Sequence, residues 1–173
     1  PSLKGKALRK FRRKVGMVFQ SFNLVTRTSV INNVLSARVA DMSLIRTIFG
    51  LYSKEDKLEA LEALDKVGIL EKAYSRADQL SGGQMQRVAL ARTLAQNPEI
   101  ILADEPTAAL DYETSIEVLS VMEEIVKSGT TLVMVTHNEE ITKMADRVVH
   151  MRNGKMYEVT VNKTRAKATD LVW

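Results

Sequence analysis

Residues 80–84 read LSGGQ, and residues 100–106 read IILADEP. In the second stretch, an apolar run leads without interruption into Asp104, which is typical of a strand covered on both faces of a parallel sheet. The first stretch opens a helix predicted over residues 81–96, because apolar residues recur at helical spacing until an Asn-Pro pair ends it. Together with the strands and helices that alternate in the second half of the chain, this strand indicates an α/β fold with a parallel sheet.

The rest of the chain alternates between predicted strands and helices. Strands are predicted where short apolar runs are bounded by turn residues, and helices where apolar residues recur three or four positions apart. A long stretch, from residue 29 to residue 96, contains predicted helices and no predicted strand. The further strands cover residues 15–20, 130–136, 148–151 and 156–161, and the further helices cover residues 29–39, 54–67, 114–127 and 139–145.

The composition is that of a globular protein, since 45% of the 173 residues are apolar and 27% are charged. It excludes a disordered or collagen-like chain, and the lack of cysteine excludes a disulfide framework or a thiolate site. No apolar run approaches the roughly 20 residues of a membrane helix. A role at a membrane would therefore come through a partner.

The net charge of +4 comes from one end of the chain. Residues 1–14 hold seven basic side chains and no acid, so the remaining residues carry a net charge of −3. Such a run could bind nucleic acid. We interpret it as the solvated face of a helix, because apolar residues recur at helical spacing within it and no aromatic platform accompanies it.

The LSGGQ stretch has two interpretations. Ser81 and Gln84 stand at the spacing of a capping box. Gly82 and Gly83 cost helix stability on the order of 1 kcal/mol each relative to Ala, but they leave the backbone N–H groups open to close approach. A helix N-terminus with bare amides and a hydroxyl suits phosphate. From the residues alone, an ordinary capped helix and an anion site are equally good interpretations.

Polar side chains follow two of the predicted strands. Asp104 and Glu105 end one strand, where α/β folds place ligands, and His137 follows another. One carboxylate suits Mg²⁺ bound through water, and the other can orient or deprotonate a water that attacks a phosphate. The alternatives are acidic residues that merely open a loop and an incidental loop histidine. His150, inside a short apolar strand, is interpreted as structural.

The order of these motifs, together with residues 15–20 and 107–111, resembles that of ABC-type ATPases over nearly the whole chain. The resemblance implies a P-loop NTPase (RecA-like) core of parallel strands with an inserted helical subdomain. It divides a single incomplete domain, residues 1–173, into three parts. Residues 1–28 surround the Q-loop strand, residues 29–96 form the helical subdomain with the signature motif, and residues 97–173 carry the Walker B strand, the D-loop, the switch histidine and a C-terminal hairpin.

The resemblance also implies cofactors and residue roles. ATP and Mg²⁺ are the implied cofactors. The implied catalytic residues are Glu105, His137 and Gln20, and the implied metal-site residues are Asp104 and Gln20. The residues implied to contact the nucleotide, chiefly that of an opposite subunit, are Ser81, Gly82, Gly83, Gln84 and Asp111.

One motif of the family is missing from the sequence. A phosphate-cradling loop needs G-x-x-x-x-G-K-[ST], but the two Gly-Lys pairs are followed by Ala7 and Met156. In the family this loop precedes the Q-loop strand, so we expect the chain to begin inside the domain and to neither bind ATP tightly nor hydrolyse it alone. The strand of that loop is expected beside the acidic strand, and without it the sheet should expose backbone edges and apolar faces.

Different segments of the chain resemble two different subfamilies. Residues 4–24 and 44–56 are similar to the ATPase subunits of phosphonate importers, the favoured interpretation. Residues 137–140 and 145–155 are similar to those of lipoprotein-release and macrolide or peptide exporters. Tyr112 departs from the proline that usually follows the D-loop aspartate.

The implied partners are a second ATPase subunit in a sandwich dimer and transmembrane permease subunits, with residues 22–24 near the permease. An importer would add a periplasmic or extracellular substrate-binding protein. No nucleic acid is implied, and the implied location is peripheral, on the cytoplasmic face of the cell membrane. A non-hydrolytic regulatory module and a DNA-associated ATPase are the alternatives. Intact Glu105 and His137 disfavour the first, and the short spacing from Gln20 to Leu80 disfavours the second.

Overall fold

A computed structural model describes residues 4–42 and 50–173. Residues 44–49, which open the second segment similar to phosphonate importers, lie outside the described residues. The helices are α1 (Gly5–Lys14), α2 (Val30–Leu35), α3 (Lys54–Lys66), α4 (Gly82–Leu94), α5 (Tyr112–Lys127) and α6 (Glu139–Thr142). The strands are β1 (Val15–Val18), β2 (Ile100–Asp104), β3 (Thr131–Val135), β4 (Arg147–Arg152) and β5 (Lys155–Val161).

Strands β1, β2 and β3 form a parallel sheet in that order, with the acidic strand β2 in the middle. The expectation that a further strand would lie beside β2 is therefore wrong, because both edges of β2 are already hydrogen-bonded. A further strand could join this sheet only outside β1 or β3. Because the three strands are parallel, the residues that follow them meet at one edge of the sheet.

The two faces of this sheet differ in burial. Val18, Ile101 and Ala103 lie on the face that contacts α4 and α5, and none of them is more than 2% exposed. Val133 and Val135 lie on the opposite face, where Val135 is 59% exposed. On the same face of β2, Ile100 is 37% exposed and Leu102 is only partly buried. The prediction that β2 is covered on both faces is thus wrong for the part of the chain that the structure describes. The expected exposure of an apolar face is confirmed.

The helices between β1 and β2 also contribute residues to the hydrophobic core. Helices α2, α3 and α4 pack against one another and bury Val34, Leu64 and Leu90 almost completely. The helix predicted over residues 29–39 tightens after α2 into a 3₁₀ turn at Ser36–Asp41. None of the helices in residues 4–42 and 50–173 is both long enough and apolar enough to cross a bilayer.

Strands β4 and β5 form the predicted antiparallel hairpin as a separate two-stranded sheet. Its turn residues, Asn153 and Gly154, have φ angles of +51° and +73°. This pair of left-handed conformations is the requirement of a type I′ hairpin turn, and Asn-Gly is the favoured sequence for it.

The start of α3 leads to a prediction about pH. The Asp56 carboxylate accepts hydrogen bonds from the Ser53 hydroxyl at 2.7 Å and the Ser53 N–H at 2.9 Å, and these bonds lower the pKa of Asp56. We expect Ser53→Ala to lower the free energy of unfolding by about 1 kcal/mol at neutral pH. Because the pKa of Asp56 is lower in the folded state than in the unfolded state, ionised Asp56 stabilises the fold. This stabilisation is complete at a pH above the unfolded-state pKa of about 3.9, and it is lost as the pH falls through the folded-state pKa.

Urea unfolding between neutral pH and about pH 3 measures this effect. The difference in stability between the wild type and the Ser53→Ala variant should shrink below about pH 4, as Asp56 becomes protonated. The part that remains is due to the Asp56 N–H, which donates to the Ser53 hydroxyl oxygen at 3.0 Å at any pH. Ser128→Ala is the matched control, because the Ser128 hydroxyl donates to the Ile125 carbonyl and not to a carboxylate. A difference between wild type and Ser53→Ala that stays constant with pH would contradict the role of Asp56.

Candidate active site

The three parallel strands bring several of the predicted site residues to one edge of the sheet. Gln20 follows β1, Asp104 and Glu105 follow one another at the end of β2, and His137 follows β3. Gln20, Asp104 and His137 are exposed, whereas the Glu105 side chain is 21% exposed. The edge therefore offers two carboxylates, an imidazole and an amide to a ligand from solvent.

Glu105 and His137 are in direct contact. Nδ1 of His137 lies 2.7 Å from Oε1 of Glu105, within hydrogen-bonding distance. The imidazole can thereby hold the carboxylate in one orientation. Oε2 of Glu105 is not used in this contact and can accept the proton of a water molecule.

The backbone of Glu105 is also held in place. Its φ angle is +46°, in the left-handed region that residues with side chains adopt at an energetic cost. The Glu105 N–H donates to the Val135 carbonyl at 2.9 Å, which ties the turn after β2 to the end of β3. Strained backbone of this kind is concentrated at functional sites, where the surroundings fix an unfavourable conformation.

The LSGGQ residues form the predicted start of α4. The Gln84 N–H donates to the Ser81 hydroxyl oxygen at 3.3 Å, and the Ser81 N–H donates to Oε1 of Gln84 at 3.0 Å. The capping box is therefore confirmed. Because the Ser81 oxygen acts as acceptor in this cap, its hydrogen is still available to donate to an anion.

Gly83 has a packing role that sequence reasoning missed. The residue is buried, and a Cβ atom at this position would lie 2.1 Å from Cγ2 of Thr114 on α5. At Gly82 a Cβ atom would lie 3.2 Å from Cδ2 of Leu110. The close contact between α4 and α5 thus requires a glycine at position 83, whether or not its amide contacts a ligand.

Asp111 caps helix α5. Its carboxylate accepts from the Thr114 N–H at 3.0 Å and from the Thr114 hydroxyl at 2.8 Å. These bonds, the backbone one first, lower the pKa of Asp111. The helix consequently begins at Tyr112, two residues before its predicted start, and the Asp-x-x-Thr spacing of a capped helix could have shown this.

Tyr112 holds the C-terminal segment of the chain against α5. Its hydroxyl donates to the Leu171 carbonyl at 2.7 Å, and its ring meets that of Trp173 edge-on with 5.1 Å between centroids. Leu171 and Ala168 of this segment are buried. The resemblance leads one to expect a proline after Asp111. This chain has Tyr112 there, and its side chain binds the C-terminal segment.

The edge of the sheet can supply part of the ligand set of a Mg²⁺ ion. Within residues 4–42 and 50–173, no three or more His, Asp or Glu side chains are grouped as a complete metal site. Mg²⁺ bound with a nucleotide takes one or two carboxylates and completes its coordination with phosphates and water. The exposed Asp104 carboxylate fits that requirement.

Comparison with known proteins agrees with this geometry. A family profile described as ABC transporter matches residues 2–108. The chain belongs to the ABC transporter family, as part of its ATP-binding domain. Proteins of this family bind ATP together with Mg²⁺.

Two relatives are named phosphonates import ATP-binding protein PhnC. The one from Lactococcus lactis subsp. lactis is 58% identical over 156 residues, which are 89% of this chain and 63% of the relative. The one from Lactobacillus gasseri is 50% identical over 175 residues, which are 99% of this chain and 67% of the relative. The chain thus spans about two thirds of the length of these relatives.

Solved structures of ATP-binding cassettes have the same fold. A dimeric post-hydrolysis structure of the cassette MJ0796 bound to ADP and Pi is 36% identical, with a TM-score of 0.74 over 94% of this chain and 69% of that chain. The ADP conformation of the cassette MJ1267, at 21% identity and a TM-score of 0.79 over 98% of this chain and 69% of that chain, supports the fold alone. The P-loop NTPase fold class predicted from the sequence is confirmed.

Proposed function

We propose that this chain is the part of an ABC importer's ATPase subunit that carries the signature motif and the catalytic carboxylate. The observation that carries the proposal is the contact of 2.7 Å between Glu105 and His137 at the strand edge that also holds Asp104 and Gln20. Phosphonate uptake is the proposed transport reaction, because two relatives at 50% identity or more are named for it.

Glu105 is the proposed general base. Its Oε2 would take a proton from the water that attacks the γ-phosphate of ATP, while His137 holds Oε1 and so fixes the direction of the carboxylate. Asp104 and Gln20 would hold Mg²⁺ at the same edge. When bound, Mg²⁺ neutralises negative charge on the phosphates.

Ser81 is the proposed contact to a second subunit. It lies exposed at the N-terminus of α4, a helix of 13 residues, with its hydroxyl hydrogen available. Such an end attracts anions, and in a sandwich dimer it would contact the nucleotide held by the other subunit together with Gly82, Gly83 and Gln84. Asp111, at the capped start of α5, would lie at the same dimer interface.

The proposed reaction also needs a phosphate-binding loop, and we propose that a segment outside the 173 residues supplies it. The exposed apolar face of the β1–β3 sheet supports this, since parallel sheets in such proteins carry helices on both faces. We propose that the segment with the loop packs on this face and pairs outside β3, and that the assembled subunit binds permease subunits at the cytoplasmic face of the membrane. An importer would also need a substrate-binding protein.

Turnover of ATP by an N-terminally extended version that carries a phosphate loop tests the proposal. We expect steady Mg²⁺-dependent hydrolysis, within the common enzymatic range of about 1 to 1,000 per second when coupled to its permease. Stimulation by a phosphonate, and not by a lipoprotein or a macrolide, would identify the transported class. An extended version that binds ATP but never hydrolyses it would refute the assignment and favour the non-hydrolytic module.

A further inference from the structure

The turn after Gln20 has an unusual backbone. Phe22 and Asn23 have φ angles of +56° and +49°, two left-handed residues in succession without a glycine. A phenylalanine rarely adopts this conformation, so the surroundings must stabilise it.

Arg92 supplies that stabilisation from the last turn of α4. Its Nη1 donates to the Asn23 carbonyl at 2.5 Å, and its Nη2 donates to the Phe22 carbonyl at 3.2 Å. A guanidinium is suited to this task because its donors form a rigid planar fork, which can bind two adjacent oxygens at once. Arg92 is partly buried, which strengthens such contacts relative to those in water.

The far end of the same turn is held independently. The buried Asn33 side chain on α2 donates to the Val25 carbonyl at 3.1 Å and accepts from the Val25 N–H at 2.7 Å. The Phe22 ring also approaches the start of α4, since a Cβ atom on Gly82 would lie 3.9 Å from Cζ of Phe22. The turn therefore contacts both ends of α4, the helix that begins with the signature residues.

From these contacts we infer that Arg92 is a positioning residue, which fixes the turn at Phe22 and Asn23 and thereby orients Gln20 relative to the signature helix. A displacement of α4 is transmitted through the guanidinium to the backbone that carries Gln20. The catalytic consequence of this coupling rests on the proposed function. The fixation of the turn by Arg92 does not depend on the proposed function.

Hydrogen exchange of the 173-residue chain tests the fixation directly. In Arg92→Met, which keeps the length of the side chain but removes its donors, amides 22–24 should exchange at least ten-fold faster. Amide 25, which donates to Asn33, and amides 86–91 within α4 should keep their rates. The matched control is Arg87→Met on the same helix, because the Arg87 guanidinium pairs with Glu117 and not with the turn. Unchanged exchange at residues 22–24 in Arg92→Met would overturn the inference, whatever the protein's activity.

Kinetics of the extended, hydrolytic version test the orientation of Gln20. Arg92→Met should lower kcat about ten-fold or more with KM for ATP within two-fold of wild type, whereas Arg87→Met should leave both near their wild-type values. Arg92→Lys separates charge from geometry. A Lys that restores kcat fully would show that only a positive charge at the helix C-terminus matters, and would overturn the inference.

The exchange experiment and the kinetic experiment distinguish a failure of this inference from a failure of the proposed function. A wild-type extended protein without turnover refutes the proposed function and leaves the exchange experiment decisive for Arg92. Should Arg92→Met fail to fold, Arg92→Lys decides the exchange experiment, since an ammonium cannot bridge both carbonyls in the same geometry. Wild-type exchange rates in that variant would count against the inference.

Discussion

Glu105→Gln in an N-terminally extended version that carries a phosphate loop is expected to reduce ATP turnover by roughly 100- to 10,000-fold, the usual contribution of a general base. The amide cannot take the proton that Oε2 of the carboxylate would accept, but it keeps the shape of the side chain. ATP affinity should stay within a few-fold of wild type, because Glu105 lies at the strand edge as a base and not as a phosphate ligand.

The control for this substitution is Glu99→Gln. Glu99 precedes β2 and pairs with Lys14 at 2.6 Å, at the opposite end of the strand from Glu105. Turnover by Glu99→Gln should match wild type in a coupled assay of phosphate release. If Glu105→Gln retained wild-type turnover, Glu105 would not be the base, and its contact with His137 would have a structural role only.

Gly83→Ala is the second substitution with a large expected effect. The added Cβ would meet Cγ2 of Thr114 at 2.1 Å, so α4 and α5 would have to separate. Overpacking of this kind costs about 1 to 3 kcal/mol. A separation of 2.1 Å between two carbon atoms places Gly83 toward the upper end of that range, above the gain of roughly 1 kcal/mol from replacing a helical glycine by alanine. We expect a lower thermal midpoint and, in the extended version, a marked loss of turnover as Ser81 shifts with its helix.

A second substitution separates packing from ligand contact at Gly83. Thr114→Ser removes the Cγ2 methyl group but keeps the hydroxyl that donates to Asp111. In the double variant, calorimetry should show that most of the lost stability returns. If turnover returns with it, Gly83 serves helix packing; if stability returns alone, the bare backbone is needed for approach of the nucleotide. A Gly83→Ala variant as stable as wild type would contradict the steric argument.

Local patterns in the sequence were sufficient to predict much of the fold and part of the site. The spacing of Ser81 and Gln84 predicts a capping box, and that box forms. The apolar runs before Glu105 and His137 predict parallel strands, whose carboxyl ends meet at one edge by geometry alone. Once β2 and β3 pair as neighbours, this edge brings Glu105 and His137 within reach of each other.

The remaining features depend on contacts between distant segments, which local spacing does not encode. The sequence around Arg92 does not indicate that its guanidinium binds carbonyls 69 and 70 residues earlier. The partner of Gly83 lies on another helix, and the central position of β2 depends on which strands pair. The Asp111-Thr114 spacing, in contrast, is a capping signal that would have placed the start of α5 correctly.

Titration with Mg²⁺ and ATP tests most directly whether this chain holds the signature and acidic half of an ATPase site without the phosphate loop. Calorimetry should compare the 173-residue chain with the extended version under the same conditions. We expect an affinity in the common range of about 1 µM to 1 mM for the extended version, and no saturation at millimolar ATP for the 173 residues alone. Micromolar binding or steady hydrolysis by the 173-residue chain itself would contradict this expectation.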